Sequence, residues 1–294
     1  MYVTENLIKS DYDLIPKNIP YLAGLKAAAV DIETTGLSSS RNMVFLIGVL
    51  SGDETGAKVT QFLASDYEDE ASVLLSFFDF IKDYDILLNY NGSSFDIPFI
   101  NKRSDVHRLG LHIDEHRSVD YMRIFKTSYL PQLLKDMKLK TVEQLAGINR
   151  TDKISGKECI SLYDDFVKNK DRSAGRKVLL HNFEDLSCFP QLNRLMTKID
   201  IHHAFNKLGF PVKSENRIFF VRSIKAAPSC IKVSGIIPGC NMDIAIYEEG
   251  FTLLSDSRND TFSLEIFLTP EKKDIFDPRA VNTAVLNTLS SVSL

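Results

Sequence analysis

The chain of 294 residues has no long apolar run, no paired cysteine motif, no excess of positive charge and no internal repeat. Each absence closes off a class of protein. The longest apolar stretch, Met43 to Leu50, falls far short of the roughly 20 residues that span a bilayer, and Met1 to Pro20 carries acidic residues throughout, so neither a membrane span nor a secretory leader is expected. The four cysteines (Cys159, Cys188, Cys230, Cys240) form no C-x-x-C pair and no zinc-ribbon spacing, which points to reduced, buried thiols in a cytoplasmic protein. A formal net charge of -4 excludes tight retention of nucleic acid by the overall field, although a local basic patch would serve a protein that grips only a strand end.

What is present is a chain 44% hydrophobic, long enough for one large domain and a small one. Lys26 to Glu33 has the small and β-branched character of a buried strand. Asn42 to Leu50 and Lys58 to Leu63 follow as strands, joined by a turn over Ser51 to Gly56, and three strands in succession predict an antiparallel meander. Leu74, Phe77, Phe78 and Ile81 recur at helical spacing between Asp69 and Tyr84; a strand then runs over Asp85 to Tyr90, and Asp96 with Pro98 opens the next helix. This order implies a crossover and an α/β fold. Tyr121 to Thr197 reads as helical, with a capping box at Thr141 to Gln144, a stop at Gly147, an amphipathic stretch from Cys159 to Val167 and a kink at Pro190. After Asp200 come short strand-like pieces separated by Gly, Pro, Asn and Asp. The expected division is therefore an α/β domain over residues 1–200 and a small β-rich lobe over residues 201–294.

Three short motifs carry the chemistry: Val30-Asp-Ile-Glu-Thr-Thr-Gly-Leu37, Tyr90-Asn-Gly-Ser-Ser-Phe-Asp96 and His181-Asn-Phe-Glu-Asp185. Residues i and i+2 of a strand share a face, so Asp31 and Glu33 point to one side while Ile32 enters the core. His181 and Asp185 stand one helical turn apart and emerge side by side. Asp96 sits where a strand gives way to a helix, next to residues suited to a tight turn. Carboxylates gathered in one pocket repel one another unless hard cations fill it, and Mg²⁺ or Mn²⁺ with a phosphate ester is the usual occupant. An unperturbed imidazole titrates at about 6.5, which makes His181 the candidate general base.

With these strings the chain resembles the ribonuclease H-like DEDD superfamily of 3'-to-5' exonucleases, in its histidine (DEDDh) form, and within it the YprB-like branch. The likeness runs over roughly Ala27 to Met196. It implies a mixed sheet flanked by helices, two divalent metal ions held by Asp31, Glu33, Asp96 and Asp185, and His181 as base. It further implies that the backbone around Thr34, Gly36 and Leu37 cradles a terminal nucleotide, with Asn91 and Phe95 on the substrate side and Phe95 supporting the second motif. Asp120 resembles an acid that supports the site without being a ligand. The implied partner is single-stranded DNA or RNA with a free 3' end.

Each motif alone is common by chance; all three in order, each in its strand or helix context, are not. Two other readings stay open: a nucleic-acid-binding scaffold whose catalysis has lapsed, and a structure-selective endonuclease of ribonuclease H type. His107, His112 and His116 do not stack on one helix face and read as a polar loop, and adjacent His202 and His203 point apart. Lys135, Lys138, Lys140, Arg150, Lys153 and Lys157 read equally as phosphate contacts or as a solvated helix face. Arg172, Arg176 and Lys177, bordering the catalytic helix, are the better phosphate candidates.

Overall fold

The computed structural model describes residues 1–8, 13–16, 19–53, 56–215, 217–268 and 277–292. The turn expected over Ser51 to Gly56 includes Glu54 and Thr55, which lie outside the described residues. The chain forms two compact units, one of Met1–Pro16, Lys26–Arg123 and Pro131–Leu195, the other of Lys17–Leu25, Ile124–Leu130 and Met196–Leu294.

The first unit holds strands β1 (Tyr2–Ile8), β2 (Ala27–Thr34), β3 (Val44–Asp53), β4 (Gly56–Leu63), β5 (Ile86–Asn89) and β6 (Ser118–Asp120). They pair in the order β1-β4-β3-β2-β5-β6. The expected meander is β2-β3-β4, all antiparallel, while β5 and β6 run parallel to β2. Strand β1 adds to the outer edge of β4 and has no counterpart in the sequence reading, because its residues are largely exposed and do not alternate.

Helix α1 (Glu70–Ile81) makes the crossover from β4 to β5 and buries Val73, Leu74, Phe77, Phe78 and Ile81 against the sheet. Helix α2 (Asp96–Val106) follows β5. After the short helices α3 (Tyr121–Lys126) and α4 (Leu130–Leu133) come α5 (Leu139–Leu145), α6 (Gly156–Lys168) and α7 (Arg172–Ser187).

Two local expectations are corrected. The capping box is not at Thr141, which lies inside α5 and gives its hydroxyl to Asp136 at 2.6 Å. It is at Ser155 and Glu158, which open α6. Pro190 does not kink a continuing helix: α7 stops at Ser187, and Pro190 sits at the start of a separate short turn over Phe189–Leu192, where its missing N–H would have no partner in any case.

Strand β2 outruns β5. The parallel pairing covers only Ala27 to Ala29, so Asp31, Ile32 and Glu33 project beyond the end of β5 while remaining paired with β3. On one face a row of residues crosses the sheet: Asp31 opposite Gly48, Gly48 opposite Gln61. Helix α7 lies on that row. The Asn182 amide donates to Asp31 Oδ2 at 2.8 Å, and Gln61 Nε2 donates to Asn182 Oδ1 and to the Leu179 carbonyl, both at 2.8 Å. Gly48 makes this approach possible, because a Cβ there would overlap Asn182 Oδ1 and Leu186 Cδ1.

Helix α8 (Asn193–Met196) ends the first unit, with only Met196 in the second, which contains helix α9 (Ile201–Leu208) and strands β7 (Phe210–Lys213), β8 (Ile218–Ala227), β9 (Cys230–Ile236), β10 (Ala245–Glu248), β11 (Phe251–Asp256) and β12 (Thr261–Phe267), followed by helix α10 (Pro278–Ser290). The strands form an antiparallel sheet in the order β10-β11-β12-β9-β8-β7. A β-rich texture is present as expected, and α9 and α10 are additional. Helix α10 buries Val281, Val285 and Leu289 on one stripe, and its Asn282 donates to the Tyr21 hydroxyl at 2.9 Å.

Gly48 yields a direct prediction. Gly48→Ala should force α7 away from the sheet and destabilise the protein by about 1–3 kcal/mol, the usual penalty of overpacking, without changing the secondary structure. Denaturant unfolding followed by circular dichroism checks this, and an unchanged midpoint would contradict the packing described.

Candidate metal centre and active site

Three of the four predicted acids meet closely. Carboxylate oxygens of Asp31, Glu33 and Asp185 lie within 4.8 Å of one another. Asp96 is set slightly apart, at the start of α2, where its Oδ1 accepts the Ile32 backbone N–H at 3.2 Å. That N–H is free because β2 has outrun β5, so the strand end that presents Asp31 and Glu33 also anchors Asp96.

His181 joins the group from α7. Its Nε2 is 3.6 Å from Glu33 Oε1 and 3.9 Å from Asp185 Oδ2, and its Nδ1 is 2.5 Å from Asp152 Oδ2. Cys159 of α6, fully buried, also comes within 4.8 Å of Glu33 and His181.

The electrostatics follow from crowding. Burial first, then the charges of Asp185, Glu33 and Asp96, hold the Asp31 carboxyl well above the usual carboxylate range, against the Asn182 hydrogen bond. Burial and the charges of Asp185, Asp96 and Asp152 do the same to Glu33. Asp96 is pushed up to about 7, chiefly by burial, although backbone N–H groups oppose the shift. Like charges at this spacing must take up protons or a cation. The donors are all oxygen, the set that suits a hard divalent ion, so the residues present fit a metal of the Mg²⁺ or Mn²⁺ class.

The turn of the second motif is tied down by Asp120. Asp120 Oδ1 accepts the Asn91 N–H at 2.9 Å and the Met122 N–H at 3.0 Å, and Oδ2 accepts the Ser93 N–H at 3.3 Å. Asn91 takes a left-handed φ of 67°, which asparagine tolerates. Gly92 passes so close to the Asn89 side chain that a Cβ would collide with it. Phe95 packs against Phe99, with ring centroids 5.4 Å apart.

The first-motif loop is closed on itself: Thr34 Oγ1 donates to the Gly36 carbonyl at 2.9 Å, and Asn42 Oδ1 accepts the Ser38 N–H at 3.1 Å. Leu37 is 87% exposed.

Several partners of these residues escaped the sequence reading. Arg150 is no solvated helix-face residue. It is buried, with Nη1 on Asp185 Oδ1 and Nη2 on Glu143 Oε1. Burial disfavours its charge, yet Asp185 and Glu143 raise the guanidinium above its ordinary value. Lys140 points inward to Asp152 Oδ2 at 3.3 Å and to the Ile154 carbonyl at 2.5 Å. Asp152, Glu143, Asn182 and Gln61 carry no local pattern that marks them. Arg172, Arg176 and Lys177 are exposed on the first turns of α7. The remaining histidines disperse, with His107 on Glu70 at 2.7 Å, His112 on Asp105 at 2.8 Å and His202 on Tyr21 at 2.5 Å.

A mixed sheet of this order, flanked by helices, is an RNase H-like α/β fold. Sequence comparison agrees: the signature of the RNase H superfamily matches residues 28–208, and the chain belongs to that superfamily. It is 30% identical over 174 residues to an uncharacterized protein of Methanocaldococcus jannaschii, covering 58% of this chain and 94% of that protein. Among solved structures it is similar to the family B DNA polymerase from the hyperthermophilic archaeon Pyrobaculum calidifontis, with a TM-score of 0.46 and 16% identity over 70% of this chain and 33% of the polymerase. The chain thus spans a third of the polymerase's length. The RNase H-like fold suggests a nuclease acting on nucleic acid, and the acidic cluster could hold a divalent metal. Among the described residues no helix is long and apolar enough to cross a membrane.

The raised Asp96 carboxyl sets a pH dependence. The folded protein keeps this proton up to about pH 7, whereas the ordinary value is 3.8, so proton retention favours the folded state. That contribution is complete below 3.8 and is lost as the pH rises through about 7. In chelator, Asp96→Asn should therefore gain melting temperature over the native chain as the pH climbs across this range, because asparagine still accepts the Ile32 N–H and carries no charge. Thermal melts across that range check it; a difference independent of pH would contradict it.

Proposed function

We propose that this chain is a metal-dependent 3'-5' exonuclease of the DEDDh type, in the YprB-like branch, acting on single-stranded DNA or RNA. The observation that carries the reading is the meeting of Asp31, Glu33 and Asp185, drawn from motifs some 150 residues apart, with the His181 Nε2 facing them.

In this reading Asp31, Glu33, Asp96 and Asp185 would hold two ions of the Mg²⁺ or Mn²⁺ class. Such ions, when bound, neutralise charge building on the scissile phosphate and acidify the attacking water. His181 accepts the proton of that water at Nε2. The polypeptide around Thr34, Gly36 and Leu37, with Asn91 and Phe95, lines the path of the terminal nucleotide, and the exposed Arg172, Arg176 and Lys177 draw in phosphates. The catalytic domain extends over residues 1–200. Residues 201–294, the larger part of the second unit, either guide the strand or mediate self-association. A cytoplasmic location accords with four unpaired thiols.

The test is incubation of the purified chain with end-labelled single strands in Mg²⁺ or Mn²⁺. Progressive shortening from the 3' end is expected, lost by about 100-fold or more in Asp31→Asn, the scale of removing one charge-stabilising group. No shortening, or shortening insensitive to that substitution, would overturn the proposal. Cutting of circular single strands would move the assignment to an endonuclease.

A further inference from the structure

Three consecutive residues between α5 and α6 grip α7. Arg150 holds Asp185; the Thr151 hydroxyl and the Asp152 N–H hold the two oxygens of Glu184; the Asp152 carboxylate holds His181. The gripped residues, 181, 184 and 185, share one helix face.

The Asp152 side chain is 1% exposed, so it is not a solvated latch. Both oxygens of its carboxylate are engaged. Oδ1 accepts the Ile154 N–H at 2.8 Å, and Oδ2 receives both the His181 Nδ1 at 2.5 Å and the Lys140 Nζ at 3.3 Å. Burial would raise this carboxyl, but the His181 bond, the Ile154 N–H and the Lys140 charge outweigh it and hold it below the usual range. An ionised carboxylate only accepts. Nδ1 of the imidazole must therefore carry the hydrogen, which leaves the lone pair of the neutral ring on Nε2, the nitrogen that faces Glu33 and Asp185.

The Arg150 contact reinforces this placement at some cost. Its guanidinium splits between Glu143 and Asp185 instead of pairing with Glu143 through two parallel bonds, and the Arg150 Nε and Glu143 Oε2 are left buried without partners. An ion pair serving stability alone would close on one carboxylate. The split pair fixes the segment against the helix at the turn that bears His181 and Asp185.

We propose that Asp152 is a positioning residue of the nuclease site: it fixes the His181 ring and its tautomer so that Nε2 presents a lone pair to the acidic pocket. The role in catalysis rests on the exonuclease reading, whereas the tautomer does not.

The experiment uses the full chain with ¹⁵N-labelled histidine, in chelator at alkaline pH, and reads each ring tautomer from long-range ¹H–¹⁵N correlations. Native His181 should carry its hydrogen on Nδ1. In Asp152→Asn the amide oxygen stays on the Ile154 N–H and the amide NH₂ donates to Nδ1, while Lys140, its side chain 42% exposed, gives up Oδ2 and keeps the Ile154 carbonyl, so the ring should switch to Nε2–H, with circular dichroism showing that the fold is retained. Asp152→Glu should restore Nδ1–H. On oligonucleotides, Asp152→Asn should lose about 10²–10⁴-fold in kcat, the worth of a general base, with KM little altered. A native ring protonated on Nε2, or an Asp152→Asn ring that keeps Nδ1–H, would overturn the proposal. So would an Asp152→Asn ring that switches to Nε2–H without any fall in kcat. If the native chain cleaves nothing, the exonuclease reading fails by itself, and the spectra still decide the role of Asp152.

Discussion

The close meeting of Asp31, Glu33 and Asp185 is the constraint to which the rest of the first unit answers. Three carboxylates within a few ångströms, largely out of water, repel one another, and this crowding together with burial raises the proton affinity of Asp31 and Glu33. The fold supplies one partner to each segment. The Asn182 amide reaches Asp31, the Ile32 N–H reaches Asp96, and the Arg150 guanidinium reaches Asp185. These contacts hold the cluster together without neutralising it. What remains is a residual demand for positive charge, aimed at the oxygen atoms left free.

Holding α7 against the sheet is what makes the cluster possible, because His181, Asn182 and Asp185 all come from that helix. The contact depends on a missing side chain at Gly48 and on Gln61, whose amide ties both the α7 backbone and Asn182 to the sheet. The opposite rim is held by other means. Buried Glu70 accepts the Val44 N–H at 2.7 Å, receives two bonds from Arg103 and meets His107, thereby pinning the start of β3 to α1 and α2. Asp120 locks the turn before Asp96. The chemistry is thus carried on strand ends and a helix face, and the loops that bear it are tied by backbone-directed carboxylates.

How much of this was legible in the sequence depended on whether the signal was local. Strands β2, β3 and β4 announce themselves by runs of apolar and β-branched residues, and α1 by its period. The D-x-E, Asp96 and H-x-x-x-D strings gave the acids and the imidazole because strand and helix periodicity alone decide which faces they share. Arg150, Glu143 and Asp152 gave no sign, since their meaning lies in partners some 7 to 35 residues away and in burial that no local pattern encodes. The basic stretch read equally as phosphate contacts or as a solvated face, and Arg150 instead is buried on Asp185 and Glu143. Strand β1 was missed because an edge strand with mostly exposed residues has no alternation to detect. Helix α10 was missed because threonine, asparagine and valine are poor helix formers, although Asp277 and Pro278 form a proper start signal.

Cys159 bears on which cation such a pocket can use. Glu33 belongs to two possible donor groups, one with Asp31 and Asp185, the other with Cys159 and His181. The second group would suit a softer ion, but burial and the neighbouring carboxylates hold the Cys159 thiol far above its ordinary proton affinity, so a thiolate is disfavoured there. The two groups also compete for one nitrogen. With Nδ1 engaged by Asp152, a metal taken by Cys159 and His181 would have to bind Nε2 and consume the lone pair that proton transfer requires. An imidazole used as a base and an imidazole held as a ligand are mutually exclusive at one nitrogen, and of the two donor groups the all-oxygen one leaves the His181 Nε2 lone pair unused.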